Sequence, residues 1–147
     1  MKISNRKSKG SQFELSCRDS LAQKYPDVLL TKQEGFQQGF DIWIPSVKIA
    51  IECKRHKGFS WRELEKYFLK LEERIKANKD ENDDGIYTPC LIFQGNYQPC
   101  LVMYKSFLSG GTYELKSPIG MNGLFVSPFE NVFLVPFIKH KGKKVKE

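Results

Sequence analysis

Two acidic residues and a lysine have the types and spacing needed for chemistry on phosphate. Asp41 is followed, a short stretch later, by the triplet Glu52-Cys53-Lys54. Two carboxylates held close together repel, and each raises the pKa of the other. A hard divalent cation relieves this repulsion, and Mg²⁺ takes oxygen ligands from one or two carboxylates, waters and phosphate. Such a cation activates water and neutralises charge on a phosphate, so the pattern predicts phosphodiester hydrolysis.

Lys54 and the backbone of Cys53 add to the predicted site. A lysine is a compact positive charge that can bind the phosphate or hold the attacking water. The Cys53 carbonyl lies between Glu52 and Lys54 in the chain and is a further candidate oxygen ligand for the metal.

Strand geometry decides whether these side chains can meet. We expect strands at 40–44 and 47–54, close enough in the chain to pair as a hairpin. Side chains alternate between the two faces of a strand, so Glu52 and Lys54 share one face and the apolar residues share the other. If the strands pair with their apolar faces together, Asp41 joins Glu52 and Lys54 on the same side of the sheet.

Each of these residues also has an ordinary structural interpretation. A Glu-x-Lys pattern on a strand is typical of a solvent-exposed face. An aspartate such as Asp41 is common at strand ends and in turns. Only the combination, an acidic strand residue shortly before the Glu-x-Lys strand, favours the chemical interpretation.

The elements predicted around this hairpin are helices and strands in turn. A helix is predicted from Ser11 to Tyr25, where apolar residues recur at helical spacing and Pro26 follows. The clearest helix runs from Ser60 to Lys76, with a capping box at its start and one apolar stripe. Further strands are predicted at 28–31, 90–94, 100–104 and 132–138, the middle two as a hairpin around Gly95-Asn96. This order predicts an α/β or α+β fold with a central mixed sheet flanked by helices.

Composition sets the broad class of the protein. The chain has 147 residues, of which 40% are hydrophobic, and this suits one domain with a buried core. We assign that domain to 11–138, between a basic N-terminal arm at 1–10 and a basic C-terminal tail at 139–147. No apolar run is long enough to span a bilayer, and the charged N-terminus is unlike a secretory signal. An intracellular, cytoplasmic location is therefore expected.

The charge balance points to a polyanionic partner. The formal net charge is +7, with basic clusters at both ends and immediately after Glu52. The alternative, that the basic ends are plain solubilising tails, stays open. The acidic run at 80–84 indicates a solvated loop, because it lacks the ligand spacing of a calcium loop.

The cysteines favour a reducing compartment. None of the four forms a C-x-x-C pair, and only two histidines are present, so a zinc site is not expected. Apolar neighbours around each one predict buried thiols, namely Cys17, Cys53, Cys90 and Cys100.

The Asp41 and Glu52-Cys53-Lys54 pattern resembles the signature of the PD-(D/E)xK nucleases, with Phe40 where the motif name has proline. The segment from Lys9 to Glu14 resembles the opening of archaeal-type Holliday junction resolvases and their phage relatives. The predicted helix at 61–75 and the strands at 88–93 and 100–104 follow the order of that family. The resemblance covers roughly 7–105.

This resemblance carries several implications. It implies a restriction-endonuclease-like fold and a homodimer that cuts DNA with Mg²⁺ or Mn²⁺, Holliday junctions or other branched DNA above all. It also implies a recombination role, with phage origin as one option and the host cytoplasm as the location. The implied catalytic and metal-holding residues are Asp41, Glu52, Lys54, the Cys53 carbonyl and a helix-borne glutamate matched by Glu14.

Glu14 has a competing interpretation. Ser11-Gln12-Phe13-Glu14 also has the spacing of a capping box, in which Glu14 would bind the backbone amide of Ser11. By helical spacing Glu14 lies at the edge of the apolar stripe, from which it can face the sheet and its metal. The family match, not the spacing, favours the catalytic role.

Contacts with the DNA backbone are assigned to basic residues around the site. They are Lys7, Lys9, Lys32, Arg55, His56 and Lys57. His56 can equally be a basic turn residue. The loop before Asp41 offers Gln33, Gln37 and Gln38 for a polar role that the family implies. The aromatics Phe36, Phe40 and Trp43 are more typical of a core than of base stacking.

Two other functions stay open. The first is another nuclease of the same superfamily, acting on single strands or at a specific sequence. The second is a non-catalytic basic module that binds nucleic acid without cutting it.

Overall fold

The computed structural model describes residues 2–30, 41–77, 87–105, 119–121 and 123–139, with the side chains of 2–9, 11 and 119–121 left aside. Several predicted features lie outside these residues. They are the loop at 33–39 with its glutamines, Lys32, Phe36 and Phe40, the acidic run at 80–84 and the C-terminal tail from 140 onward. The side chains of Lys7 and Lys9 lie outside them as well.

A β-hairpin is the centre of the fold. Strand β2 (Ile42–Ile44) and strand β3 (Ile49–Arg55) are joined by a 3-10 turn at Pro45–Val47 and pair antiparallel, with Ile42 opposite Ile51. Lys48 takes a left-handed conformation, with φ of 53°, to leave the turn. The predicted hairpin is confirmed, with β3 shifted toward its C-terminal end.

Five further strands extend this hairpin into one mixed sheet. They are β1 (Leu29–Leu30), β4 (Thr88–Gln94), β5 (Leu101–Tyr104), β6 (Ile119–Met121) and β7 (Leu124–Pro128). The order across the sheet is β1-β2-β3-β4-β5-β7-β6. Only β3 and β4 pair in parallel among these neighbours, and helix α2 (Trp61–Ala77) lies in the connection between them. The predicted α+β fold with a central mixed sheet and flanking helices is confirmed.

The two faces of the sheet bury different clusters. Helix α1 (Lys2–Ala22) and helix α3 (Phe129–Phe133) pack on one face, against Ile42, Ile44, Ile49, Ile51, Cys53 and their neighbours on β4 and β5. Helix α2 covers the other face. Alternation along β3 therefore assigns Glu52 and Lys54 to the α2 face and Cys53 to the α1 face. Within the described part of the chain, no helix combines the length and apolar character needed to cross a membrane.

Helix α1 corrects the predicted start of the first helix. It begins at Lys2 instead of Ser11 and ends at Ala22 instead of Tyr25. The residues assigned to a basic arm are thus helical as far as they are described. The helix continues through a polar stretch that contains Gly10, because a single glycine is tolerated in a helix interior. Ser11 also lies inside the helix, so its capping-box spacing does not mark a helix start.

Helix α2 begins as predicted. The Glu63 amide donates to Ser60 Oγ over 3.1 Å, and the Ser60 amide donates to Glu63 Oε1 over 2.9 Å, which is a capping box. The predicted stripe is buried at Leu64, Phe68, Leu71 and Ile75. Local chemistry and the apolar pattern agree here, so the sequence located this helix within one residue at each end.

The predicted last strand at 132–138 is wrong. Helix α3 occupies Phe129–Phe133 and ends at Leu134, which has a left-handed φ of 61°. The following residues form no strand, although the Ile138 amide donates to Ser20 Oγ over 2.7 Å. A short apolar run does not distinguish a buried helix from a strand, and periodicity also missed β6 and β7.

The capping box gives a direct test of the α2 assignment. Ser60→Ala removes the side-chain acceptor for the Glu63 amide, and we expect it to lower the free energy of unfolding by about 1 kcal/mol. Ser60→Asp, which keeps a capping oxygen, is expected to stay close to the wild type. Urea denaturation followed by circular dichroism measures both variants. Equal stability of the alanine variant and the wild type would contradict the assignment.

Candidate active site

Asp41 is held at the open end of the β2–β3 hairpin by its backbone and its side chain. Its amide donates to the Ile51 carbonyl over 2.9 Å, and its Oδ2 accepts a hydrogen bond from the Cys53 amide at 2.8 Å. The regular register ends at Ile42 opposite Ile51, and the Asp41 amide bonds that same Ile51 carbonyl, so Asp41 lies just beyond the ladder. Its carboxylate bonds the amide of the residue next to Glu52, and its charge raises the pKa of the Glu52 carboxyl, so the two acids are neighbours. The predicted proximity of these two acids is therefore present, and their common face stays a prediction.

Glu52 is a buried acid with charged neighbours. The residue is only 8% exposed. Burial raises the pKa of its carboxyl, and the negative charge of Asp41 raises it further. Lys54 and Arg74 act in the opposite direction, with Lys54 Nζ at 3.3 Å and Arg74 Nη1 at 3.6 Å from the carboxylate oxygens. Because the pKa rises on balance, these two cations do not fully offset burial and repulsion.

Lys54 lies between Glu52 and an aromatic ring. Its Nζ is 4.6 Å from the ring centroid of Tyr67, a distance at which the ring face attracts a cation. The side chain of Lys54 is 29% exposed, so it is partly accessible to solvent while Glu52 and Tyr67 hold it in place. The predicted common face of Glu52 and Lys54 is confirmed.

Arg74 and Tyr67 were missed by reasoning from the sequence. Both lie on α2, which contributes its apolar stripe to the core and these two side chains to the site. Their positions flank Leu71 at helical spacing, so the edge of the stripe was an available signal. The sequence did not indicate which strand residues would face the edge of the apolar stripe on α2.

Cys53 places its thiol and its backbone in different surroundings. The thiol is buried on the α1 face, and burial is the main cause that raises its pKa to about 12. The thiol is therefore protonated at neutral pH and unsuited to nucleophilic attack. The amide faces Asp41, and since N–H and C=O of one strand residue point to the same neighbour, the carbonyl faces that edge too. A role for this carbonyl as a metal ligand fits the geometry.

Glu14 approaches the site from the other side of the sheet. It lies inside α1, between the buried residues Phe13 and Cys17, and is itself partly buried. Its charge, like those of Asp41 and Glu52, raises the pKa of the Cys53 thiol, so all three acids lie near that residue. The capping-box interpretation does not hold, because Ser11 is not the first residue of the helix.

The acids do not form a compact metal cage. Among the described residues, no three side chains of Asp, Glu, His or Cys lie close enough together to hold a metal ion. Asp41 and Glu52 form a pair, and Glu14 stays outside it. Two carboxylates are nonetheless a sufficient protein contribution for Mg²⁺, which keeps several waters. The donor set therefore fits Mg²⁺ or Mn²⁺ at Asp41 and Glu52, while Glu14 as a ligand stays a prediction.

A basic cleft of about 690 Å³ opens beside the site. One end of its wall is Gly10 of α1, and the rest is the end of β3 with the residues after it, Cys53 to Lys57, and Asn96. His56 and Lys57 are exposed to solvent. Arg55 is half-buried, and its Nη1 donates to the His56 carbonyl over 2.9 Å and to Asn96 Oδ1 over 2.8 Å. Arg55 thus shapes the cleft as well as charging it.

The prediction of buried thiols is confirmed. All four cysteines are free and buried in the described structure. Their burial in the core raises the pKa of Cys17 and Cys90 well above the usual value for a thiol.

Comparisons with protein-family models, with curated proteins and with solved structures find no match for this chain. The functional argument therefore rests on the site itself.

The raised pKa of Glu52 predicts a pH-dependent effect on stability. A carboxyl whose pKa is higher in the folded state contributes stability below its unfolded pKa and loses it as pH rises through the folded pKa. Glu52→Gln removes this loss. In EDTA we expect the variant to be more stable than the wild type at neutral pH, with the gain disappearing below the ordinary carboxyl range.

Thermal unfolding between acid and neutral pH measures the effect. Glu73→Gln, at an exposed position of helix α2, is the control for removal of a surface carboxyl and is expected to unfold like the wild type. Excess Mg²⁺ should then stabilise the wild type and not Glu52→Gln, because a ligand that binds only the folded state shifts unfolding. A wild type as stable as Glu52→Gln at neutral pH without metal would contradict the interpretation.

Proposed function

We propose that this protein is a metal-dependent endonuclease that hydrolyses DNA phosphodiesters. The observation that carries the proposal is the arrangement at the end of the β2–β3 hairpin, where the Asp41 carboxylate accepts the amide of Cys53, next to Glu52, and Lys54 Nζ lies 3.3 Å from the Glu52 carboxylate. The basic cleft next to this trio supplies the charge that a polyanionic substrate requires. The mixed sheet with flanking helices is compatible with the restriction-endonuclease-like arrangement that the sequence resemblance implies.

Each residue has a defined part in this proposal. Asp41 and Glu52 would hold Mg²⁺ or Mn²⁺, with the Cys53 carbonyl as a further oxygen ligand and Glu14 in support. When bound, the cation supplies Lewis acidity toward the scissile phosphate and lowers the pKa of water. Lys54 turns its ammonium from Glu52 toward the phosphate oxygen or the attacking water. That exchange of partners needs little movement, because the side chain already reaches solvent.

Arg74 balances the site before the cation arrives. Its Nη1 lies 3.6 Å from one oxygen of the Glu52 carboxylate, and Lys54 Nζ lies 3.3 Å from the other oxygen. A buried carboxylate without a partner is costly, so Arg74 makes the ionised form tolerable in the metal-free protein. Side-chain exposure of 44% lets Arg74 withdraw or contact the substrate backbone once a cation neutralises Glu52.

Branched DNA is the proposed substrate, and Holliday junctions are its main example. The support is the sequence resemblance around Asp41, Glu52-Cys53-Lys54 and Glu14, together with the basic cleft. Symmetric cutting of a junction requires two copies, so a homodimer belongs to the same proposal. A place in recombination, whether in a phage or a cell, follows from that substrate.

A non-catalytic binding module is the second candidate, and one observation favours it. Glu52 already has two cationic partners, Lys54 and Arg74, so the charged cluster can be a structural ion-pair network beside a basic cleft. In that case DNA would bind and no strand would be cut. Another nuclease of the superfamily, acting on single strands or at one sequence, remains the alternative within enzymes.

A cleavage assay with matched variants tests the proposal. End-labelled four-way junction, duplex and single strand are incubated with the protein in Mg²⁺, in Mn²⁺ and in EDTA. We expect metal-dependent cutting that is fastest on the junction. Glu52→Gln and Lys54→Ala should each slow it by at least about a hundredfold, the scale of losing one preorganised electrostatic contact to the reacting group.

Controls separate the competing functions. Glu73→Gln should cut like the wild type, and the site variants should still bind DNA in EDTA. Binding without cutting in every metal would favour the non-catalytic module. Equal cutting of all three substrates would remove the preference for junctions while leaving the nuclease assignment in place.

A further inference from the structure

Tyr97 is an aromatic side chain that the fold displays to solvent. It lies in the turn between β4 and β5, and its exposed fraction is 102%, against 53% for Leu69 on α2. Its backbone takes a positive φ of 60°, in a turn closed by the hydrogen bond from the Gln98 amide to the Gly95 carbonyl. Such a turn position suits Gly, Asn or Asp, and a fully exposed ring contributes nothing to the core, so the fold does not account for a tyrosine here.

The turn that carries Tyr97 is fastened to the basic cleft. The Asn96 amide donates to the Lys57 carbonyl over 3.0 Å, and Arg55 donates to the Asn96 side chain over 2.8 Å. A Cβ atom on Gly95 would lie 3.3 Å from the Lys57 carbonyl oxygen, so a larger residue at 95 would push the two backbones slightly apart. These contacts hold the backbone of the turn beside Lys57, and the Tyr97 ring extends from that backbone into solvent.

The residues around Tyr97 have the composition of a surface that binds nucleic acid. Lys57 and His56 are exposed beside the cleft, and the His56 ring stacks on Phe59 with centroids 4.9 Å apart. Cations along a backbone path with an aromatic ring beside it are the composition of surfaces that bind single strands. The bases of a continuous duplex are already stacked on each other, so the free face of an aromatic ring can accept only an unpaired or unstacked base.

We infer that Tyr97 stacks on an unpaired base of a nucleic acid whose phosphates lie along Lys57 and the basic cleft. The inference rests on the proposed function, because it names the substrate feature that the same site selects. A branch point, where the stacking of a duplex is interrupted, offers such a base close to the scissile phosphate. Binding through Tyr97 does not require the metal or the cutting step.

Binding in EDTA tests this role apart from catalysis. Fluorescence anisotropy is measured with a labelled mixed-sequence single strand and with the corresponding duplex, at several salt concentrations. Tyr97→Ala should weaken single-strand binding by about tenfold, the scale of one base stacked on one aromatic ring, and change duplex binding little. Tyr97→Phe keeps the ring and should bind like the wild type.

Two comparisons distinguish stacking from charge and from folding. Tyr97→Ala should leave the salt dependence unchanged, whereas Lys57→Ala should reduce the slope of log K against log salt by about 0.7, the value for one phosphate contact to a single strand. Leu69→Ala removes an exposed apolar residue elsewhere and should have no effect. Tyr97→Gly suits the positive φ, so it should be at least as stable as the wild type to heat and still lose single-strand affinity.

The outcomes are separable from those of the cleavage assay. A wild type that does not bind the single strand overturns the inference. So does a Tyr97→Ala variant that binds it normally, or that loses duplex and single-strand affinity equally. If no substrate is cut but Tyr97 governs single-strand affinity, the nuclease proposal fails and this inference stands. If cutting occurs and Tyr97→Ala binds the single strand normally, the nuclease proposal stands and this inference fails.

Discussion

The pairing of β2 with β3 sets the positions of Asp41, Glu52 and Lys54 at the candidate site. The Asp41 carboxylate accepts a hydrogen bond from the Cys53 amide, just beyond the end of strand β2. A slip of one residue would turn Glu52 toward α1 and bury a charge in an apolar cluster. The isoleucines on the opposite face oppose that slip, because they are fully buried against α1 and α3. The apolar core thus maintains the register, and the register brings the two acids together.

Charge at this site works against the stability of the folded chain by itself. Glu52 is nearly buried, faces Asp41, and has a raised pKa in spite of two cationic neighbours. A protein selected for stability alone would replace such an acid by an apolar residue of similar size. A buried acid with a raised pKa is expected at a site that binds a ligand, where function outweighs local stability. A divalent cation is the partner that would relieve both the burial and the repulsion.

The rigid connection between the end of β3 and the β4–β5 turn gives the site a defined surface. Arg55 links the two segments, and Gly95 allows their backbones to approach. Positions on such a frame differ little from one molecule to the next, which is what a substrate with fixed phosphate spacing requires. The backbone that carries Lys57 and Tyr97 is held by these contacts, while both side chains extend into solvent beside the cleft.

The sequence by itself determined the local features of this protein. Alternation on β3 separated Glu52 and Lys54 from the apolar face, and the capping box marked the start of α2, because each depends only on neighbouring residues. The tertiary structure alone decided which elements meet. Arg74 reaches Glu52 because α2 packs over β3. The first residues of the run at 132–138 belong to α3, whose buried side chains pack in the core cluster on the α1 face of the sheet. Tyr97 lies beside the cleft because β4 pairs with β3. Contacts between distant segments depend on packing and register, and neither is encoded in the periodicity of a single segment.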